Sequence, residues 1–177
     1  MLGIGFVSFV KFLLYVIFVD CIGVGLAIAT ILWFVCNKFL LKANSADLDV
    51  EWGYCFDVHL KYGILGSKFT LENSPFSYCS AFFPLLVILH FVQLFFYSIL
   101  ISRPWFLATL FGNSLWLVAL GYYLYITFLG YHSLHVLERT KVFLYPFIPL
   151  VIIFLASLIA NWNITQSLMY FYHYRVL

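Results

Sequence analysis

The chain has 177 residues, 65% of them hydrophobic and 9% charged, with a net charge of +2. Soluble domains run nearer about 45–50% and about 25%. A chain this short cannot hide so much apolar surface from water, so its solvent must be lipid. Nine scattered Lys and Arg residues are too few for a phosphate-binding stripe.

Residues 1–10 are already apolar, with no basic leader and no small-residue cleavage site, so the chain reads from its start as the middle of a membrane protein. Residues 12–36 form the first apolar block. A helix of that length reaches about 37 Å, enough to cross roughly 30 Å of hydrocarbon with some tilt. Gly23, Gly25, Ala27 and Ala29 give two overlapping small-xxx-small pairs for close helix packing. Asp20 is the exception in this block. A carboxylate at membrane depth must sit near the boundary or face a partner.

A polar interruption follows, residues 37–80. Its most patterned part is Asp49-Val-Glu-Trp-Gly-Tyr-Cys-Phe-Asp-Val-His59, where acids and aromatic rings alternate. Glu51, Trp52, Tyr54, Asp57 and His59 are the candidate partner-binding residues. Read as an extended segment, it points Asp57 and His59 the same way. That pair admits an acid–base or metal reading, but a site needs convergent groups, and interfacial polar groups are the better account. Residues 61–80, with Gly63, Gly66, Asn73, Ser74 and Pro75, read as an irregular loop.

Residues 81–101, 105–129 and 141–161 are the second, third and fourth blocks. Pro84 suits a first helical turn, and Pro146 and Pro149 predict a kink. His90 and Gln93, three apart, share a face. With Asp20 and Asn113 they are the intramembrane polar residues, readable as an ion path or as hydrogen bonds between helices. His132 and His135 have i,i+3 spacing, but only Glu138 stands near them, so a solvated connection outweighs a metal site. Cys21, Cys36, Cys55 and Cys79 contain no Cys-x-x-Cys pair and read as small hydrophobes. Residues 162–177 form an aromatic tail, too polar to span, expected to lie in the membrane interface. It holds the sequon Asn163-Ile-Thr165, close to the membrane end.

The fold class is therefore all-α: a polytopic membrane protein with about four transmembrane helices and one long cytosolic loop, in a single membrane domain. Lys and Arg set the orientation. One side carries Lys38, Lys42, Lys61, Lys68, Arg139 and Lys141; the other carries Lys11, Arg103 and Arg175. The loop then faces the cytosol and the tail faces the lumen.

Several runs carry a resemblance. They are Asp20-Cys-Ile-Gly-Val-Gly-Leu, Val50-Glu-Trp-Gly-Tyr-Cys-Phe-Asp-Val-His-Leu60, Ala81-Phe-Phe-Pro-Leu-Leu-Val-Ile-Leu-His-Phe-Val-Gln-Leu-Phe-Phe96, Gly112-Asn-Ser-Leu-Trp-Leu-Val-Ala, Gly121-Tyr-Tyr-Leu-Tyr-Ile-Thr-Phe-Leu-Gly-Tyr131 and Phe171-Tyr-His-Tyr-Arg-Val. Together they resemble the uncoordinated-fifty (Unc-fifty) homologue family of Golgi multi-pass membrane proteins. The resemblance implies a non-enzymatic role in the assembly and surface delivery of nicotinic acetylcholine receptors. It also implies a link to a guanine-nucleotide exchange factor for Arf GTPases. RNA binding and an inner nuclear membrane location are attributed to the family as well, and these residues add no support of their own. No cofactor is implied. Against the family pattern, the chain reads as truncated at the amino terminus, with an insertion at 61–80 that detaches the Glu51–His59 segment from the helix it should lead into. A small channel or transporter built on Asp20, His90, Gln93 and Asn113 is the alternative.

Overall fold

The computed structural model describes residues 6–42, 49–60 and 81–176. Among the described residues there is no strand, only an isolated bridge between Leu41 and Leu137. Four helices are long and apolar enough to cross a membrane: Val10–Leu40, Phe82–Ile101, Phe106–His132 and Thr140–Ile159. We label the first, with its extension back to Phe6, α1. The short helix Trp52–Leu60 is α2, and the remaining three spans are α3, α4 and α5. Ile164–Val176 is α6.

The element ends differ from the hydropathy pattern where side chains supply partners. α1 does not stop at residue 36, because Asn37 and Lys38 are satisfied inside it. The Asn37 amide donates to the Val50 carbonyl and accepts from the Val50 N–H, both at 2.9 Å. The Lys38 ammonium lies 5.1 Å from the Phe34 ring centre and 6.0 Å from that of Phe39. In α5, a 3-10 turn at Thr140–Leu144 ends before Pro146, and the α-helix restarts at Phe147. Pro149 falls in that first turn, where its missing N–H costs little. The helix ends at Asn161, whose φ of 48° suits an asparagine. The Trp162 N–H then bonds the Ser157 carbonyl at 2.8 Å and the Asn161 N–H bonds Leu158 at 3.1 Å, a Schellman closure.

Three expectations are corrected. The stretch 37–80 is not one long loop: residues 37–40 finish α1, and 52–60 form α2, packed on α1 and α4. Nor does the insertion detach that segment. The Ala81 N–H donates to the Val58 carbonyl at 3.1 Å, so the end of α2 and the start of α3 are joined directly. Residues 61–80 themselves, with Lys61, Lys68 and Cys79, lie outside the described residues. The tail is likewise more than an anchoring strip. It is the helix α6, with Thr165 and Tyr172 buried and its start inserted against α4.

α4 is the central helix, touching α2, α3, α5 and α6. Its glycines allow the approach: a Cβ on Gly130 would lie 3.0 Å from Val58 Cγ1, and one on Gly121 would lie 3.1 Å from Phe147. α1 meets the rest of the bundle chiefly through α2 at one end and α6 at the other. Of its small residues, Gly25 and Ala29 are buried, while Gly23 and Ala27 face outward. Ala29 joins Cys36, Cys55, Tyr131 and Phe143 in the apolar core where α1, α2, α4 and α5 converge. The outer faces stay greasy: Ile159 is 89% exposed and Phe91 73%, as surfaces bathed in lipid should be.

Candidate functional site

The acid-and-ring segment is helical, so residues two apart point about 200° away from each other. Asp57 and His59 therefore diverge, and the shared direction expected of an extended segment is lost. His59 turns inward. It is 2% exposed, with Nδ1 2.7 Å from the Tyr123 hydroxyl and its ring 5.1 Å from Phe82. Burial pulls its pKa from 6.5 down to about 4, so it is neutral at pH 7. Tyr54 is also tied to the bundle. Its hydroxyl donates to the Gly130 carbonyl at 2.7 Å, and burial raises its pKa. Glu51 and Trp52 remain outward, Trp52 being 38% exposed. Trp52 is stacked on Phe56 at 5.4 Å and its indole N–H donates to Thr30 Oγ1 at 3.2 Å. Asp57 is half-buried. Of the five candidates, then, Glu51 and Trp52 face outward, and Tyr54 and His59 serve the fold.

The intramembrane polar residues separate into two groups. Gln93 and Asn113 belong to a knot that seats the start of α6. Asn113 donates to Ser157 Oγ and to the Trp162 carbonyl, each at 2.9 Å, and accepts from the Ile164 N–H at 3.1 Å. Gln93, oriented to satisfy every group, accepts from the Thr165 hydroxyl and from Trp116 Nε1 and donates to the Leu89 carbonyl. Asn163 caps α6 by accepting from the Gln166 N–H at 3.2 Å, and Gln166 donates to the Ile101 carbonyl at 2.7 Å. The sequon is thus consumed: Asn163 is 6% exposed and Thr165 fully buried.

Asp20 and His90 form the second group, completed by Tyr172. The Tyr172 hydroxyl donates to Asp20 Oδ2 at 2.6 Å. Burial and this carboxylate push the Tyr172 pKa up, so it stays a donor. His90 Nε2 lies 4.0 Å from the same oxygen. Phe12 and Tyr15 hold the Tyr172 ring edge-on at 5.3 and 6.0 Å. The three groups line a cavity of about 320 Å³ between α1, α3, α4 and α6, whose remaining wall is mostly aliphatic and aromatic and also includes His59 and Tyr123.

His132 does not join His135 in a site. It is exposed, stacks on Phe128 at 5.2 Å and bonds Thr140 Oγ1 at 2.9 Å. Among the described residues no three His, Cys, Asp or Glu side chains gather as a metal would need. Sequence reasoning missed Tyr123, Asn163, Thr165 and Tyr172 as members of these networks. The pattern Asn163-x-x-Gln166 was a readable helix-start signal; nothing local marks Tyr172 among its neighbouring rings.

The family model described as the UNC-50 family matches residues 1–63 and 77–173. The Protein unc-50 homolog of Rattus norvegicus is 50% identical over 175 residues, covering 99% of this chain and 60% of that protein. The Homo sapiens homolog gives the same identity and coverage. The Drosophila melanogaster homolog is 45% identical, covering 99% of this chain and 56% of its own length. The chain thus spans about 60% of the length of the first of these relatives. No solved structure matches.

Proposed function

This chain belongs to the UNC-50 family, and from that premise we propose that it is a non-enzymatic Golgi membrane factor for protein transport. In this reading it supports the assembly or surface delivery of nicotinic acetylcholine receptors and contacts an Arf guanine-nucleotide exchange factor from the cytosolic side. One observation supports the partner-binding part: α2 is hydrogen-bonded to α1 and α4 and, with the residue before it, leaves Trp52 and Glu51 outward. An exposed tryptophan on a packed helix is the kind of side chain that anchors protein interfaces. The side of the membrane follows from the Lys and Arg balance and belongs to the same proposal.

The test replaces Glu51 with Lys and Trp52 with Ala together. Receptor at the cell surface should fall several-fold, the effect of removing an interface anchor, while the amount of the variant itself is unchanged. Wild-type delivery at equal expression rejects the reading. The channel or transporter alternative now rests on Asp20 and His90 alone, because Gln93 and Asn113 are occupied in seating α6. Ion flux through reconstituted protein, abolished in Asp20→Asn, would establish it; flux no greater than that of empty liposomes removes it.

A further inference from the structure

We propose that the cavity between α1, α3, α4 and α6 is a binding site for a membrane lipid that carries one hydroxyl on an apolar body. The hydroxyl is held between Asp20 and His90. This stands independently of the trafficking role.

The argument starts from the polar groups. Asp20 receives one hydrogen bond, from Tyr172 at 2.6 Å. His90 Nε2 is 4.0 Å away, beyond hydrogen-bond reach. Neither His90 ring nitrogen has a well-formed hydrogen bond among the described residues; the ring's one backbone partner is Leu86, and Nε2 faces Asp20. Buried polar atoms are nearly always paired, so each orphan calls for an explanation. An oxygen seated about 2.8 Å from both atoms would fit within that 4.0 Å separation. A hydroxyl donates to the carboxylate and accepts from an imidazole N–H in one position. Asp20 sits in the π-helical stretch Val16–Gly23 and His90 in another, Val87–Val92. Such widened turns are rare and recur at functional sites.

The rest of the cavity selects the body. Phe12, Val24, Leu89, Trp116 and Met169 line it, and a volume of about 320 Å³ is at the small end of ligand pockets, which run about 300–1,000 Å³. Water filling it would need several molecules, each with two to four polar partners. The few polar side chains there supply far fewer. A ring system or a single chain can seat its hydroxyl end there and leave the rest of its body in the surrounding lipid; the two chains of a phospholipid do not fit. Sterols and linear fatty alcohols share this chemistry.

The test uses the full chain in phosphatidylcholine nanodiscs with two diazirine probes, a sterol and a long-chain alcohol. One probe should label saturably, with cross-links in α1, α3, α4 or α6, and its unlabelled parent should compete. The same molecule with its hydroxyl methylated should compete roughly tenfold less well or worse, the effect of losing a hydrogen bond to a charged group. Whichever probe saturates identifies the source. His90→Leu should weaken competition to a similar degree while keeping the thermal transition. If labelling is unsaturable for both probes, or if blocking the hydroxyl changes nothing in the wild-type protein, the cavity holds only bilayer hydrocarbon and the proposal falls. That outcome needs no variant to fold.

Discussion

At the scale of single residues, the informative positions are polar side chains that found partners far away in sequence. His59 is one. It is kept neutral by burial, with a folded pKa of about 4 against 6.5. Between those values the unfolded chain binds the proton and the folded chain does not, so stability falls as pH drops through that window. Thermal unfolding in detergent should be flat above pH 6.5 and lose on the order of 3 kcal/mol by pH 4. His59→Phe should remove most of that slope; a slope that persists in the variant assigns it to other groups. Gly112 is another. A Cβ there would stand 3.2 Å from Thr165 Oγ1 and 3.3 Å from both Asn163 Oδ1 and Ile101 Cγ2. Gly112→Leu should therefore cost about 1–3 kcal/mol through overpacking. Gly53→Ala, in a helix with open space around it, should be neutral or stabilise by up to about 1 kcal/mol, since helices favour alanine over glycine. A thermal-shift comparison of the two decides whether the α4–α6 contact is as close as the structure has it.

At the scale of elements, the helices on either side of residues 61–80 meet directly. The Val58 carbonyl and the Ala81 N–H meet at 3.1 Å, and the family match itself breaks at 64–76. Excising residues 61–80 with a two-glycine closure should leave the melting temperature within about 4 °C, the shift that roughly 1 kcal/mol produces in a chain of this size. A collapse of the fold would show that those residues carry structure the flanking helices need. Hydropathy could place α3 and α5 closely because each is apolar nearly all round. It could not place α2. Nine residues with mixed polarity form a stable helix only when packed, and what packs them is Ala29 on α1 and Tyr131 on α4.

At the scale of the whole molecule, the ends of the helices sort into two faces. Lys42 N–H bonds the Val136 carbonyl at 3.1 Å, bringing the end of α1 beside the α4–α5 connection. Asn163 and Gln166 both donate to the Ile101 carbonyl, bringing the start of α6 beside the α3–α4 turn. In sealed vesicles, cysteines introduced at Lys42 and His135 should react with an impermeant maleimide from one side, and a cysteine at Arg103 from the other. Reaction of all three from the same side would break the four-span reading. Because Asn163 is buried, endoglycosidase treatment should leave the electrophoretic mobility unchanged even with that face in the lumen. A shift would mean that α6 leaves its seat in the membrane.

Sequence alone determined the solvent, the number of spans and the residues with something to hide. Those follow from composition and length, which a bilayer reads directly. Which polar residue meets which was decided only in three dimensions. Asp20 and Tyr172 lie 152 positions apart, yet share a 2.6 Å hydrogen bond. Gln93, Thr165 and Asn113 look like isolated blemishes until α6 folds back among α3, α4 and α5. The physical reason is that lipid enforces pairing without choosing partners. Each buried donor must find an acceptor, and side-chain geometry across the packed helices selects the one it finds.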